Sequence, residues 1–404
     1  MRLQLWSYNY DPEPTGIGPV SRVWAEAMRD LGHEVEVVAA HPHYPSPEWG
    51  SARLPYREER GGIPVLRLPL MIGRATTVER LRQEMSFAAS QTLAIPALRR
   101  PDVMVVVSPS FPALLPAMVN SGTRRIPWVL WLHDILPDGA ESTGLVREGA
   151  ILDAARWLER TAYSRARRVV VLSSAFERNL RSKGVPADKI RLIYDPATRA
   201  APDQGGRAPA SPPRVLSMGN IGFSQGLKPL VRAWEASEDV ARAGAEFVIT
   251  GNGVAAEEVR AEIRSDKVRM LGLVSDEEMD QELRAALIAL VSQVPQGSEF
   301  NIPSKIMNFM AYGLPVIGVV NPASEVAHIL TASGGGWVVD SADPDAFPRC
   351  VAEVLGDPQV VARRGRLARD FANRHFSREG FAERFQEVLL QVAAPGWRRA
   401  RRVE

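Results

Sequence analysis

The chain has one cysteine, Cys350, in 404 residues, so no internal disulfide can form, and six histidines without zinc-type Cys/His spacing offer no metal framework. A reducing cytoplasm suits such a composition. Charge of one sign is equally scarce: 49 basic and 47 acidic side chains leave a formal net charge of +2, so no global field recommends a nucleic-acid partner. Long apolar runs are missing too. Stretches such as Val103–Val107 and Leu287–Val291 fall far short of the ~20 residues a spanning helix needs. Met1 leads straight into the strand-like Leu3–Tyr8, without the basic segment and apolar run of an export signal. Any membrane contact is therefore expected to be peripheral.

What the chain does have is 45% hydrophobic and 24% charged residues, enough apolar content for two ordinary cores at this length. In the first half, β-branched runs (Gln4–Tyr8, Val35–Ala39, Val65–Leu68, Val103–Val107, Trp128–Leu132, Val169–Leu172, Ile190–Ile193) alternate with amphipathic segments (Val20–Leu31, Val78–Leu98, Ala150–Ala166). Buried parallel strands with crossover helices read this way. Residues 196–213, PATRAAPDQGGRAPASPP, lack periodicity and core-forming side chains and are expected to link two domains. The alternation then restarts at Arg214–Met218, Glu246–Thr250, Val268–Leu271, Leu287–Val291, Val316–Val319 and Gly336–Val339. The expected architecture is α/β: two Rossmann-like, doubly wound parallel-sheet domains facing across a cleft. Their bounds are 1–195 and 214–377, with a final helix from Arg378 packing back toward the first domain and a basic tail after it. Loops at the carboxyl ends of the strands are where ligands bind in such sheets.

Several of those loops carry chemistry. Asp11–Pro19 holds Gly16 and Gly18 before a helix expected near Val20: either a plain strand-to-helix turn or a cradle for an anion or sugar hydroxyl. A dinucleotide fingerprint is disfavoured, since its third glycine would fall at Ser21. His133 and Asp134 follow a strand, as a structural pair or as a grip on sugar hydroxyls. His41 and His43 suit an acceptor site or loop packing equally. In the second half, Gly219-Asn220-Ile221-Gly222 with Gln225-Gly226 opens a helix and suits a diphosphate. Gly251, in Thr250-Gly251-Asn252-Gly253, fits a structural turn or a nucleotide contact. Pro303 suits a first helical position, which puts Ser304 and Lys305 in the first turn and Asn308 three residues beyond Lys305 on the same face. A lysine there opposes the helix dipole, which a bound anion would explain; a solvated lysine is the plain alternative.

These stretches together resemble the retaining glycosyltransferases of family 4, with the two-domain GT-B fold. Within it the resemblance is closest to the branch of colanic-acid fucosyltransferases and O-antigen fucosamine transferases. It rests on Tyr8-Asn-Tyr-Asp-Pro-Glu-Pro-Thr-Gly-Ile-Gly18, His41-Pro-His-Tyr-Pro45, Gly219–Gly222 with Gln225-Gly-Leu227, and Pro303-Ser304-Lys305. The resemblance implies transfer of a sugar from a GDP- or UDP-type donor to a glycan, lipid-linked or small-molecule acceptor, with no metal and no permanently bound cofactor. It also implies that His133 holds the donor sugar. The usual Arg and Lys diphosphate clamp of the wider family falls at Asn220 and Gln225, and its second motif glutamate at Asn308. Its first glutamate falls at Phe300, so the neighbouring Glu299 is the candidate carboxylate. With the clamp neutral, Lys305 becomes the compensating charge for the diphosphate. GT-B folds also support sugar-nucleotide epimerases, and a non-catalytic sugar-nucleotide binding protein is a third class. The helix Val78–Leu98 and the tail Trp397–Arg402 are the expected points of contact with anionic lipid.

Overall fold

A computed structural model describes residues 1–13, 17–43, 54–73, 76–108, 110–134, 150–199, 209–295 and 302–393. The chain forms two compact units, Met1–Pro196 together with the segment from Arg378, and Ala197–Ser377. No described helix is long and apolar enough to cross a membrane.

The first unit is an eight-stranded sheet in the order β3-β4-β2-β1-β5-β6-β7-β8. Its strands are β1 (Arg2–Ser7), β2 (Glu34–Ala40), β3 (Tyr56–Arg60), β4 (Ile63–Leu68), β5 (Val103–Ser108), β6 (Trp128–Leu132), β7 (Arg168–Val171) and β8 (Ile190–Leu192). Every pairing is parallel except β3 with β4. That antiparallel edge strand escaped the sequence reading because its residues, YREER, are charged where buried strands are apolar. The helices are α1 (Gly18–Asp30), α2 (Thr77–Ala94), α3 (Leu114–Arg124), α4 (Ala150–Arg165) and α5 (Ser174–Ser182). Strand order reverses between β1 and β5, so right-handed crossovers put α1 on one face and α2 to α5 on the other. The C-terminal helix Arg378–Ala393 joins α1, its Phe385 ring 5.6 Å from Trp24 and its Phe381 5.7 Å from Trp131. Those four aromatic rings are fully buried and fill the core under the switch point.

The second unit is a six-stranded, wholly parallel sheet in the order β11-β10-β9-β12-β13-β14. Its strands are β9 (Arg214–Met218), β10 (Glu246–Thr250), β11 (Val268–Gly272), β12 (Ile288–Ser292), β13 (Val316–Val320) and β14 (Gly336–Asp340). Its helices are α6 (Leu227–Glu235), α7 (Glu238–Ala243), α8 (Ala256–Arg260), α9 (Asp276–Ala285), α10 (Lys305–Ala311), α11 (Glu325–Ser333), α12 (Ala346–Leu355) and α13 (Pro358–His375); the helix from Arg378 is α14. The serines that begin α7, α9 and α11 each accept a backbone N–H in the first turn, as N-caps do. Residues expected to start a loose linker are already fixed here: Ala197 N–H donates to the Phe376 carbonyl at 2.8 Å and Arg199 N–H to Asn308 Oδ1 at 2.9 Å.

Candidate functional site

In the first unit, the loop after β1 is held from beneath by charged side chains. The buried Glu13 carboxylate accepts from Asn9 Nδ2 (2.9 Å), the Tyr10 N–H (3.3 Å) and the His43 N–H (2.8 Å), tying this loop to the one that follows β2. Arg67, fully buried on β4, donates to the carbonyls of Ala40 (3.1 Å) and Asp11 and to Glu58 (2.7 Å). Its charge is matched by a carboxylate and carbonyl oxygens, the condition for burying a guanidinium. His41 and His43 lie inside this framework, both buried. Gly18 is the first residue of α1, and a Cβ there would sit 2.8 Å from the Glu13 carbonyl oxygen. Close approach of the loop to its own helix thus requires this glycine. Gly16 lies outside the described residues.

His133 follows β6 and meets a residue that the sequence gave no reason to pair with it. Its Nδ1 is 3.5 Å from Oδ2 of Asp195, which follows β8, and its ring lies 4.7 Å from that of Trp131, tilted by 58°. Burial disfavours both charges: His133 is driven down to about 3 and Asp195 up to about 8. The pair therefore sits as a neutral imidazole beside a neutral carboxylic acid at physiological pH. Among the described residues, His133 Nε2 and Asp195 Oδ1 are buried with no hydrogen-bond partner. A neutral donor–acceptor pair with capacity to spare fits a polar, uncharged ligand group.

In the second unit, two glycine loops interlock at the carboxyl ends of β9 and β10. Gly219 N–H donates to the Thr250 carbonyl at 3.0 Å, Ile221 N–H to Asn252 at 2.9 Å, and Ala255 N–H to Ile221 at 3.0 Å. Gly251 adopts a φ of +120°, and a Cβ there would lie 1.8 Å from the Gly219 carbonyl oxygen. No side chain fits at that crossing. Gln225 turns its amide onto its own loop, accepting the Gly222 N–H at 2.8 Å and donating to Ser224 Oγ at 3.0 Å. Asn220, exposed, stands beside Gly222 and Gly253.

The helix α10 carries the other second-half candidates, with corrections. It begins at Lys305, two residues later than Pro303 suggested; Ser304 is the N-cap, with no side-chain capping bond. Lys305 is not a solvated lysine: only 9% of it is exposed, and burial lowers its ammonium to about 8. Among the described residues it has neither an ion pair nor a hydrogen bond. A buried cation is costly unless an anion meets it, and the described residues supply none. Asn308, on the same helix, does not share a free face with Lys305. Its Oδ1 accepts from the Arg199 N–H, and its Nδ2 donates to Thr198 Oγ1 at 3.3 Å. Glu299 lies outside the described residues. A cavity of about 550 Å³ lined by Leu287, Tyr312, Gly313 and Arg369 borders residues that precede β12 and β13, at the opposite edge of the sheet from these loops. Among the described residues no group of three or more His, Cys, Asp or Glu is arranged to hold a metal.

The structure thus gathers Gly219, Asn220, Gln225 and Gly251 in one loop pair, sets Lys305 on a neighbouring buried helix of that unit, and places His133 with Asp195 in the other unit. Asp195, Glu13 and Arg67 were not singled out from sequence. Asp195 stands 62 positions from His133 in a Pro-containing stretch, and nothing in the local pattern links the two.

Residues 15–196 match the family model of the glycosyl transferase 4-like domain, and residues 212–357 that of glycosyl transferases group 1. WcaI of Escherichia coli (strain K12), named for glycosyl transfer in colanic acid biosynthesis, is 26% identical over 409 residues, covering 95% of this chain and 98% of that protein. Among solved structures, sucrose-phosphate synthase from Thermosynechococcus elongatus superposes with a TM-score of 0.71 at 18% identity, covering 97% of this chain and 98% of that one. Anabaena HepE in complex with UDP gives 0.68 at 16% identity, covering 97% and 100%. Nothing in these relatives supports an epimerase.

Proposed function

The chain belongs to the glycosyltransferases of family 4 with the GT-B fold, and from that premise we propose that it transfers a sugar from a nucleoside diphosphate donor to a hydroxyl of a glycan, lipid-linked or small-molecule acceptor, retaining anomeric configuration and using no metal. The observation that supports this reading is Lys305, an ammonium in the group 1 half of the chain that is buried with no counter-charge among the described residues. A diphosphate supplies the missing anion. As the bond from the anomeric carbon to the phosphate oxygen breaks, negative charge grows on the leaving group, and Lys305 stabilises it more in the transition state than before. The departing phosphate oxygen accepts the proton of the acceptor hydroxyl, whose oxygen forms the new bond on the same face of the sugar. No protein base is then needed.

His133 contributes differently. Held neutral by burial, it offers a hydrogen bond to a sugar hydroxyl without adding charge. Asn220 and Gln225 leave the glycine loops uncharged, so Lys305 carries the diphosphate in this reading. HepE, which shares the fold, was solved with UDP, which supports a nucleoside diphosphate as the ligand class. Resemblance to fucosyltransferases favours guanine as the base.

A melting panel with GDP, UDP and dTDP tests the donor class, since a ligand at ~100 times its Kd adds ~2.7 kcal/mol of stability. GDP or UDP should raise the melting temperature. If none of the three shifts it, the donor assignment is wrong. The anomeric configuration of a transferred sugar, read by NMR, tests retention separately.

A further inference from the structure

The two helical layers on the first sheet differ in what they show to solvent. On one face, α1 and α14 turn their apolar sides onto each other and the sheet, and among the described residues Leu390 is the one large apolar side chain that these helices expose. They carry four arginines and five acidic residues. On the other face, α2 exposes Val78 (75%), Leu81 and Met85, spaced i, i+3, i+7 and therefore in one stripe. Helix α3 packs against both α2 and α4, and exposes Leu115 and Val119 one turn apart; α4 exposes Trp157 (57%). The exposed residues of α3 are Leu115, Val119, Gly122 and Thr123, without a charge among them. The outer face of a solvated helix is normally its polar one. Helices α2, α3 and α4 together hold six arginines and four acidic residues, an excess of basic side chains where α1 and α14 have an excess of acidic ones.

We propose that the α2–α3–α4 layer is a docking surface for an anionic lipid bilayer. Apolar patches rimmed by polar side chains mark interaction sites. The excess of arginine selects the partner: a second copy of the chain would bring two cationic faces together across a two-fold contact, whereas anionic headgroups neutralise them. An exposed tryptophan beside Arg156 and Arg160 suits the boundary between headgroups and acyl chains, where an indole ring is both wetted and buried. The surface also widens the sequence expectation. Helix α2 is one of three contributors, and the tail Trp397–Arg402, which lies outside the described residues, is not required. The inference does not depend on which donor the enzyme uses.

The test is flotation of the full chain with vesicles of phosphatidylcholine alone and of equal parts phosphatidylglycerol and phosphatidylcholine. Wild type should float with the anionic vesicles at low salt, less at high salt, and not with phosphatidylcholine alone. Leu115→Ser/Val119→Ser, at exposed positions, should partition at least about ten-fold more weakly. Leu390→Ser, the matched change on the opposite layer, should float like wild type. The proposal is overturned if wild type stays with the soluble fraction at low salt or if the double variant floats as well as wild type. It is also overturned if sedimentation shows a dimer that the double variant abolishes while vesicle binding is absent, which would assign the face to a second copy.

Discussion

Burial disfavours charge in both units, yet it leaves opposite charge states at neutral pH. In the first, His133 and Asp195 lie 3.5 Å apart and desolvation drives both to their neutral forms, leaving polarity without charge. In the second, desolvation brings the Lys305 ammonium to about 8 and so leaves it charged at neutral pH, with no carboxylate beside it among the described residues. A pair can discharge itself by keeping one proton arrangement; a lone cation has to wait for an anion. The lesson is that burial can leave a pair polar but neutral, whereas a cation buried with no carboxylate among the described residues keeps its charge at neutral pH.

Removing the Lys305 charge breaks the comparison most severely. Lys305→Met keeps the apolar stem, and the loss of a charge-assisted hydrogen bond worth ~1.5–3 kcal/mol should cut kcat/KM by roughly 10- to 150-fold. Folding should survive, because a buried charge with no counter-charge among the described residues is removed. Wild-type nucleotide affinity and turnover in this variant would falsify the diphosphate role of Lys305.

Raising the pH attacks the same charge without mutation. In the free enzyme Lys305 is protonated below about 8 and neutral above it, so nucleoside diphosphate affinity should be flat up to about 8 and then fall, by as much as about ten-fold per further pH unit. Stability should move the other way. An unfolded lysine keeps its proton to about 10.4, so between about 8 and there the unfolded chain binds more protons and the Lys305 contribution to stability rises with pH. Calorimetric titration and melting curves over this range separate the proposal from alkaline unfolding, which would lower both together.

The first unit can be probed with Asp195→Asn. A carboxyl raised to about 8 in the fold binds its proton where the unfolded chain has lost it, so its contribution is fully present below the ordinary carboxylate range and is lost as pH rises through about 8. The amide cannot ionise. Its variant should therefore show a flatter stability profile from about pH 4 to about pH 8, with a donor KM within a few-fold of wild type. An unchanged pH profile would mean that Asp195 is ionised in the fold and that the pair is not neutral.

The smallest expected effect is that of a chelator. Transfer rates in EDTA should stay within about two-fold of those without it, since the leaving charge is assigned to Lys305 rather than to a divalent ion. Loss of activity that magnesium or manganese restores would remove metal independence from the proposal.

Much of the scaffold could be read from sequence because its strands are apolar on both faces; Arg214–Met218 and Glu246–Thr250 are strands over those same bounds. The charged edge strand was not, since an antiparallel edge needs no such run. Ser304 and Lys305 were legible as a helix start, but Pro303 fits a first helical position without being obliged to occupy one, and the helix begins beyond it. The partners in the site were the least accessible. Asn308 binding Arg199 and His133 facing Asp195 are products of topology, which brings together residues 109 and 62 positions apart. Burial of Lys305 likewise depends on packing around α10 that no local pattern records.

The charged strand β3 has a consequence for the behaviour of the protein at high concentration. It forms one border of the eight-stranded sheet, and Arg57, Glu58 and Arg60 are engaged with Glu36, Arg67 and Glu58 in cross-strand and neighbouring ion pairs. A border strand with free backbone groups invites a strand from another molecule to add on, and its run of charged side chains makes that addition expensive because each would be desolvated. At its other border the sheet ends in β8, only three residues long. With one flank guarded by charge and the other by brevity, the sheet resists growth into a fibre, and crowding should bring these molecules together through their helices before it joins them strand to strand.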